Sequence, residues 1–319
     1  MRLRHQFELI QLIRNYFNKQ GFLDVLTPPA VENPGMEVHI HPFQLYSTRS
    51  NKTIKQYLHT SPEFWLKSLL ASEDEKIENL FSVSYCFRDE PSSPIHRSQF
   101  LMLEWYRKNV RYEKIMEDVE GLIALVQNSN LPVRKTLVNQ KLTKKTMQEL
   151  FKEILNIDIL EYLTVPAIKN LLKNFPDVPV PNVNCEWDDY FFLLYLNKIE
   201  PEITKYPLLL IYEFPAPLSA LSTLKEGDER VCERFEVYIN GVELCNCFNE
   251  LTDLKEQKKR FTEQAALKKR IYNYELPEPK EFYHALEKGL PTSSGIAMGV
   301  ERLLYSLCEI EDPFMAKSL

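Results

Sequence analysis

Near the N-terminus apolar residues recur at Phe7, Ile10, Ile13 and Phe17, the three-to-four spacing of an amphipathic helix. From there to about residue 128 the pattern alternates helix with strand. Residues 84–106 read as strand, polar Pro-rich loop and strand; on the second strand Met102, Glu104 and Tyr106 share one face with Trp105 opposite. Between 143 and 203 the pattern turns helical. Thr146 and Glu149 have capping-box spacing, Pro166 suits a first helical turn, and Phe175 to Val183 reads as a Pro-rich linker between helices. Strands resume near Leu208, and charged helices from Leu254 lead to SSGIAMGVERLLYSL. There Gly295 and Gly299 let backbone pass close to a ligand ahead of Arg302 on the next helix.

The segment 234–252 carries the densest chemistry. Asn240-Gly241 between two β-branched and aromatic runs is a hairpin signal that pairs Ile239 with Val242 and Tyr238 with Glu243, leaving Glu236 diagonal to Glu243 on one face. Two carboxylates so placed suit a divalent cation. Asn246, Phe248 and Glu250 alternate with period two and offer an amide, an aromatic wall and a carboxylate to an amino acid with a cationic side chain. Strict alternation puts Glu243 and Asn246 on opposite faces, whereas one site needs both on the same side. The pattern therefore predicts a bulge around Leu244 and Cys245.

Arg88-Asp89-Glu90 with Phe100 resembles the second motif of the class II aminoacyl-tRNA synthetases, and Gly299-Val300-Glu301-Arg302 the third. The stretch from Phe7 that ends in Pro28 is similar to the first. Within that class Thr60-Ser61-Pro62-Glu63, Leu103-Glu104-Trp105-Tyr106 and Asn246-Cys247-Phe248-Asn249-Glu250-Leu251 resemble the lysine-pocket segments of the lysyl branch, and the likeness spans about residues 6 to 308. The first-motif helix starts close to Met1, where a lysyl-tRNA synthetase carries an anticodon-binding barrel. The chain thus looks most like the short paralogues that ligate lysine or β-lysine to a lysine of elongation factor P. Tyr106 after Glu104-Trp105, and Ala297 where the tRNA enzymes have glycine, point the same way.

The resemblance implies an α+β fold, an antiparallel sheet flanked by helices, as one catalytic domain over residues 1–319 with a helical insertion at about 143–203 and no anticodon-binding domain. It implies an ATP-dependent ligase that forms an acyl-adenylate of lysine or β-lysine and passes it to elongation factor P. Arg88 would bridge the α-phosphate and the substrate carboxylate, and Arg302 would meet the outer phosphates. Adenine would lie between Phe100 and Arg302, with Asp89, Glu90, His96, Arg97, Leu244 and Gly299 completing the ATP site. Glu236 and Glu243 would hold Mg2+. Glu104, Tyr106 and Glu250 would receive the terminal ammonium, Ser61, Pro62 and Glu63 the other amine, and Asn246 the carboxylate, with Phe248 as the wall. A homodimer through the first-motif helix follows from the same likeness. Three departures stand out: Arg97 has to replace a cation missing from loop 91–99, Cys247 replaces a glycine and narrows the pocket floor, and Glu301 replaces an aspartate. A truncated synthetase that charges a tRNA or another carrier, and an inactive lysine- or ATP-sensing module, are the other readings. Intact Arg88, Glu243 and Arg302 argue against the sensor.

Composition narrows the setting. With 319 residues and 44% of them hydrophobic, the chain can bury a substantial core. No apolar run reaches membrane length, the longest being Tyr190 to Leu196, and the N-terminus shows no secretion signal, which together predict a cytoplasmic protein. Six cysteines without Cys-x-x-Cys spacing read as reduced, mostly buried thiols. A net charge of -6 gives no broad attraction to nucleic acid, so tRNA binding is not expected. The basic clusters Lys255 to Arg260 and Lys268 to Arg270 read as the exposed face of a helix. His39 and His41 share a face but lack a third ligand for zinc.

Overall fold

The amphipathic N-terminal pattern becomes the helix Arg2–Lys19, whose Leu9, Ile13 and Phe17 are fully buried. The computed structural model describes residues 2–72, 77–181, 183 and 185–314. They divide into two units, residues 1–133 with 251–319, and residues 134–250.

In the first unit the strands run in the order Leu23–Asp24, Asn79–Phe87, Gln99–Lys108, Ser293–Gly299; the first pair is parallel and the other two antiparallel. A small antiparallel sheet joins Ala30–Val31, Lys52–Leu58 and Gln44–Ser47. Phe17 stacks on Phe81 at 5.0 Å and lies 5.0 Å from Trp105, so the first helix is clamped to the two central strands by aromatic contact. On the same side Arg107 grips Asp118 of the helix Tyr112–Gln127 with two hydrogen bonds of 2.7 and 2.8 Å, and the Trp105 indole donates to the same carboxylate at 3.2 Å. A buried ion pair needs such a full set of partners, because desolvation of both charges opposes it. Trp105 thus faces away from Glu104 and Tyr106, as alternation requires.

One expectation for this unit needs correction. The apolar stripe of the first helix packs into the unit's own core through Leu9, Ile13 and Phe17, while Leu3 and Phe7 stay exposed. The basic run near Arg270 is not wholly a solvated face. Lys268, on the helix Leu254–Tyr272, is buried and donates to the carbonyls of Glu37, Val38 and Ile40 at 2.8, 2.9 and 2.7 Å. Burial lowers its pKa to about 8. The same loop is held by His39 and His41, whose Nδ1 atoms meet the hydroxyls of Tyr272 and Tyr274 at 2.7 Å each.

In the second unit the order is Val242–Asn249, Asp228–Ile239, Leu208–Pro215, Thr143–Thr146, with Leu224–Lys225 also on Asp228–Ile239. Thr143–Thr146 therefore belongs to a strand and not to the helical run. It pairs parallel with Leu208–Pro215, and its two lysines suit an edge position. The helices Met147–Leu155, Val165–Leu172 and Trp187–Leu194 follow, capped by the Thr146–Glu149 box and opened by Pro166 as the sequence indicated. Phe151, Trp187 and Phe191 form the centre of their core. All six cysteines are free thiols, and only Cys185 is not buried. Among the described residues no helix is long and apolar enough to cross a membrane.

Candidate active-site residues

In the second unit the hairpin closes with Asn240 and Gly241 both at positive φ, 49° and 80°, the backbone that a two-residue turn of this twist demands. Ile239 pairs with Val242 and Tyr238 with Glu243, but Val237 pairs with Cys245, so Leu244 is the extra residue of a bulge. The bulge flips the alternation. Glu236 then stands opposite Asn246 and Arg234 opposite Phe248, which brings Arg234, Glu236, Tyr238, Glu243, Asn246 and Phe248 to one face. The predicted irregularity is present where the common face required it. Cys247 pairs with Phe235 on the other face, so it does not narrow the floor beneath Asn246 and Phe248.

That face is organised by a residue to which the sequence reading gave no role. Arg234 donates to Glu236 Oε1 at 2.5 Å, to Asn246 Oδ1 at 3.1 Å and to the Leu218 carbonyl at 2.9 Å, and its guanidinium lies 4.7 Å from the Phe214 ring centre and 5.6 Å from that of Phe248. The Tyr238 hydroxyl donates to Glu236 Oε2 at 2.6 Å. Arg234 and Tyr238 sit two residues either side of Glu236, a period-two signal that was legible in the sequence. Glu250 is buried beyond the strand end and bridges Ser222.

In the first unit the buried Glu104 accepts from the Ser61 hydroxyl and the Tyr106 hydroxyl, each at 2.7 Å. Ser61 Oγ also accepts from the Glu63 backbone N–H at 3.1 Å, which draws the start of the helix Glu63–Leu70 to the strand. One turn along that helix Lys67 is buried and pairs with Glu63 at 2.5 Å, its ammonium 5.9 Å from the Tyr106 ring centre and 5.5 Å from that of Phe282. Burial, and next the nearby Glu63 charge, raise the Glu104 pKa to about 8. A cavity of about 30 Å³, room for roughly one water or ammonium, lies against Gly35, Glu37, Ser61 and Glu63. The freedom of Gly295 serves a neighbouring side chain. A Cβ there would stand 2.0 Å from the Tyr106 ring, so glycine is what lets that ring lie on the strand.

The arginines of the first unit surround loop 91–98. Arg88 lies just past its strand, holds its backbone N–H on the Ser98 carbonyl at 2.9 Å and sets its guanidinium 5.3 Å from the Phe100 ring centre. Its Nε is buried without a hydrogen-bond partner among the described residues, a cationic donor not used by the fold. Arg302 donates to His96 Nε2 at 2.8 Å and to the Ile95 carbonyl at 3.4 Å. Since a guanidinium only donates, His96 is the acceptor at Nε2 and its Nδ1–H faces Ser93 Oγ at 2.9 Å. Burial, and next Arg302, lower the His96 pKa and favour that neutral ring. Arg97 turns to the carbonyls of Ser93 and His96 and lies 3.8 Å from Asp312 and 4.7 Å from the Phe314 ring centre, so it is engaged by loop and C-terminal segment. Glu301 is buried and structural. It accepts from the Leu101 N–H at 2.9 and 3.1 Å and from Gln6 at 3.1 Å, and burial raises its pKa to about 7.

An arginine past one motif strand, a glutamate–arginine helix after Gly299 and an acid lodged among hydroxyls form the arrangement the motifs anticipate. A family model described as "tRNA synthetases class II (D, K and N)" matches residues 1–312. The chain belongs to the class II tRNA synthetase family. Among curated proteins it is 34% identical over 310 residues to a Proteus mirabilis (strain HI4320) protein named elongation factor P–(R)-β-lysine ligase, covering 95% of this chain and 90% of that one. Proteins of the same name from Vibrio vulnificus (strain YJ016) and Hamiltonella defensa are 32% identical over 306 residues and 31% over 299, covering 95% and 93% of this chain and 90% and 88% of theirs. In this class II chain each unit holds part of the predicted set. Ser61, Pro62, Glu63, Arg88, Asp89, Glu90, His96, Arg97, Phe100, Glu104, Tyr106, Gly299 and Arg302 lie in the first, and Glu236, Glu243, Leu244, Asn246, Phe248 and Glu250 in the second. Lys67, Arg234 and Tyr238 are the polar residues that the sequence reading missed.

Proposed function

We propose that this protein uses ATP to activate lysine or (R)-β-lysine as an acyl-adenylate and transfers the acyl group to a lysine side chain of elongation factor P. The observation that carries the reading is the enclosed acid set of the first unit. Glu104 with Ser61, Tyr106 and Glu63 offers buried oxygen acceptors suited to a primary ammonium. A substrate carboxylate oxygen attacks the α-phosphorus and pyrophosphate leaves; the acceptor amine then attacks the acyl carbonyl, AMP leaves and an amide forms. Two anions meet in the first step, so cations matter more than a general base. Arg88, with its unused Nε, is assigned to the α-phosphate and the substrate carboxylate, and Arg302 to the outer phosphates. Phe100 with Asp89, Glu90, His96, Arg97, Leu244 and Gly299 is assigned to the nucleotide, and Asn246, Phe248 and Glu250 to the amino acid.

Magnesium, when bound with the nucleotide, supplies positive charge against the phosphates. Glu236 and Glu243 are hard oxygen donors on one face of the hairpin and fit that ion. Among the described residues no group of three His, Cys, Asp or Glu side chains could hold a metal ion, and Arg234 already engages Glu236, so the ion is assigned as a companion of ATP and not a resident. The cytoplasm is the expected compartment. A homodimer is expected through the outer side of the first helix, where Phe7, Leu12 and Leu131 line a groove of about 750 Å³. Sedimentation of a monomer at micromolar concentration would remove the dimer.

The deciding assay is pyrophosphate exchange with lysine and with (R)-β-lysine, followed by transfer to purified elongation factor P and, separately, to bulk tRNA. Exchange with either isomer and transfer to the protein alone is the expected result. Transfer to tRNA would turn the reading to a truncated synthetase, and absence of exchange would turn it to a sensor. Arg88→Ala should lower exchange by at least about 100-fold, and near-normal exchange in that variant would take Arg88 out of the mechanism.

A further inference from the structure

Glu104 is a buried carboxyl whose two partners, Ser61 and Tyr106, are neutral hydroxyls. Among the described residues it makes no ion pair. The charge nearest to it in effect is the Glu63 carboxylate, which already has Lys67 at 2.5 Å. A lone carboxylate in that setting lacks the compensation that burial requires, and taking up a proton is the ordinary relief. Glu63 is then offset by Lys67, Glu104 is neutral, and burial likewise pushes the carboxyl of Glu37, the other acid beside Glu63, up towards its neutral form. A substrate ammonium reaching these acids would find no unpaired negative charge unless Glu104 ionised.

We propose that Glu104 carries a proton in the substrate-free protein and releases it to solvent as the substrate's side-chain ammonium binds, so that recognition of the amino acid is coupled to loss of one proton. This rests on the lysine-type substrate of the proposed function. The O–H bond of the Glu104 carboxyl breaks, its electron pair stays on the carboxylate, the ammonium keeps its three protons and the buffer takes the one released. Lys67 is a positioning residue here, since its pairing with Glu63 at 2.5 Å leaves the entering cation to Glu104.

The titratable groups around Glu104 are few. Glu63 and Lys67 come from the helix Glu63–Leu70, Tyr106 from its own strand, and Glu37, whose carboxyl burial pushes up, from the loop across the cavity beside Glu63. From the neighbouring strand and its end come Cys86, which burial keeps as a thiol, and Arg88. The strand Ser293–Gly299 sets Ala297 opposite Glu104 and has no titratable side chain. Burial and next the Glu63 charge hold the Glu104 carboxyl up at about 8, against the opposing pull of the Tyr106 and Ser61 hydroxyls and of Lys67.

The test is calorimetric titration of lysine, and separately of (R)-β-lysine, into the full chain in phosphate and in Tris, whose ionisation heats differ widely. At pH 7 the buffer dependence should correspond to about 0.9 proton released per ligand, falling to about 0.1 at pH 9. Affinity should tighten about 50-fold from pH 6 to pH 8. Glu104→Gln, which keeps shape and fold partners, should bind more weakly with no proton release and a flat pH profile. Lys67→Met should move the steep part of the profile to higher pH. Binding heat that is equal in both buffers, or release that persists in Glu104→Gln, overturns the coupling while leaving the lysine reading intact. Absence of binding of either isomer in any buffer overturns the lysine reading, and the coupling falls with it.

Discussion

Glu104 and Glu236 sit in the same local motif and in different electrostatic surroundings. Each is buried on a strand, and each accepts a hydrogen bond from a tyrosine two residues on, Tyr106 at 2.7 Å and Tyr238 at 2.6 Å. The difference is one residue. Arg234 reaches the second oxygen of Glu236 at 2.5 Å, whereas the second oxygen of Glu104 has only the Ser61 hydroxyl. One carboxylate is neutralised by a cation within the fold, and the other meets only hydroxyls. Burial alone therefore does not decide what an acid does; the partner two residues before it, or its absence, does.

The largest effect should come from removing that partner. Arg234→Met leaves Glu236 buried beside Tyr238 alone and also deprives Asn246 and the Leu218 carbonyl of their donor. A loss of about 3–5 kcal/mol is expected in urea unfolding. Adding Glu236→Gln to Arg234→Met should restore at least about 1 kcal/mol, since the orphaned charge goes with it. If the double variant is no more stable than the single one, charge is not what Arg234 contributes.

A smaller and pH-dependent effect belongs to Glu104. Its folded pKa is raised from its ordinary 4.5 to about 8, so between those values the folded protein binds a proton that the unfolded chain does not. Stability from this group is fully present below about pH 4.5 and is lost as pH rises toward 8, on the order of 1 kcal/mol per pH unit. Glu104→Gln removes that slope. Its stability relative to the native protein should rise steadily from pH 5 to pH 8, and at pH 5 it should differ by less than about 1 kcal/mol because both side chains are neutral there. A difference that stays constant with pH would mean that Glu104 is ionised in the empty protein.

The same contrast marks what the sequence could and could not convey. The Glu236 hairpin was legible down to its bulge, because Asn240-Gly241 fixes the register and period two then makes Glu243 and Asn246 incompatible without an extra residue. The strand order of Glu104 and Tyr106 was legible for the same reason. What stayed hidden depends on distant chain. Thr143–Thr146 reads as polar and becomes a strand only by pairing with Leu208–Pro215. Lys268 has the spacing of a solvated basic run, and it is buried because three carbonyls of residues 37 to 40 close on it. That the Tyr106 ring takes the space beside Gly295 is hidden too, because nothing local reveals it. The contacts of Arg97 with Asp312 and Phe314 were hidden because those partners lie more than 200 residues away in sequence. Lys67 is the exception: it stands four residues after Glu63 on a helix, a spacing that could have been read as an ion pair.

The smallest effect tests the tyrosines themselves. Tyr238→Phe leaves Glu236 with its arginine, so the loss should be that of one hydrogen bond to an arginine-paired carboxylate, about 1.5 kcal/mol. Tyr106→Phe leaves Glu104 with Ser61 alone, and its cost should depend on protonation. Near pH 6 the neutral carboxyl loses a bond worth about 1 kcal/mol. Toward pH 9 the ionised form loses a donor it needs more, so the Glu104 pKa moves further up and the cost grows. Denaturation midpoints of both variants across that range separate the two cases. Parallel pH profiles for Tyr106→Phe and Tyr238→Phe would mean that the two glutamates share one charge state and that Arg234 does not distinguish them.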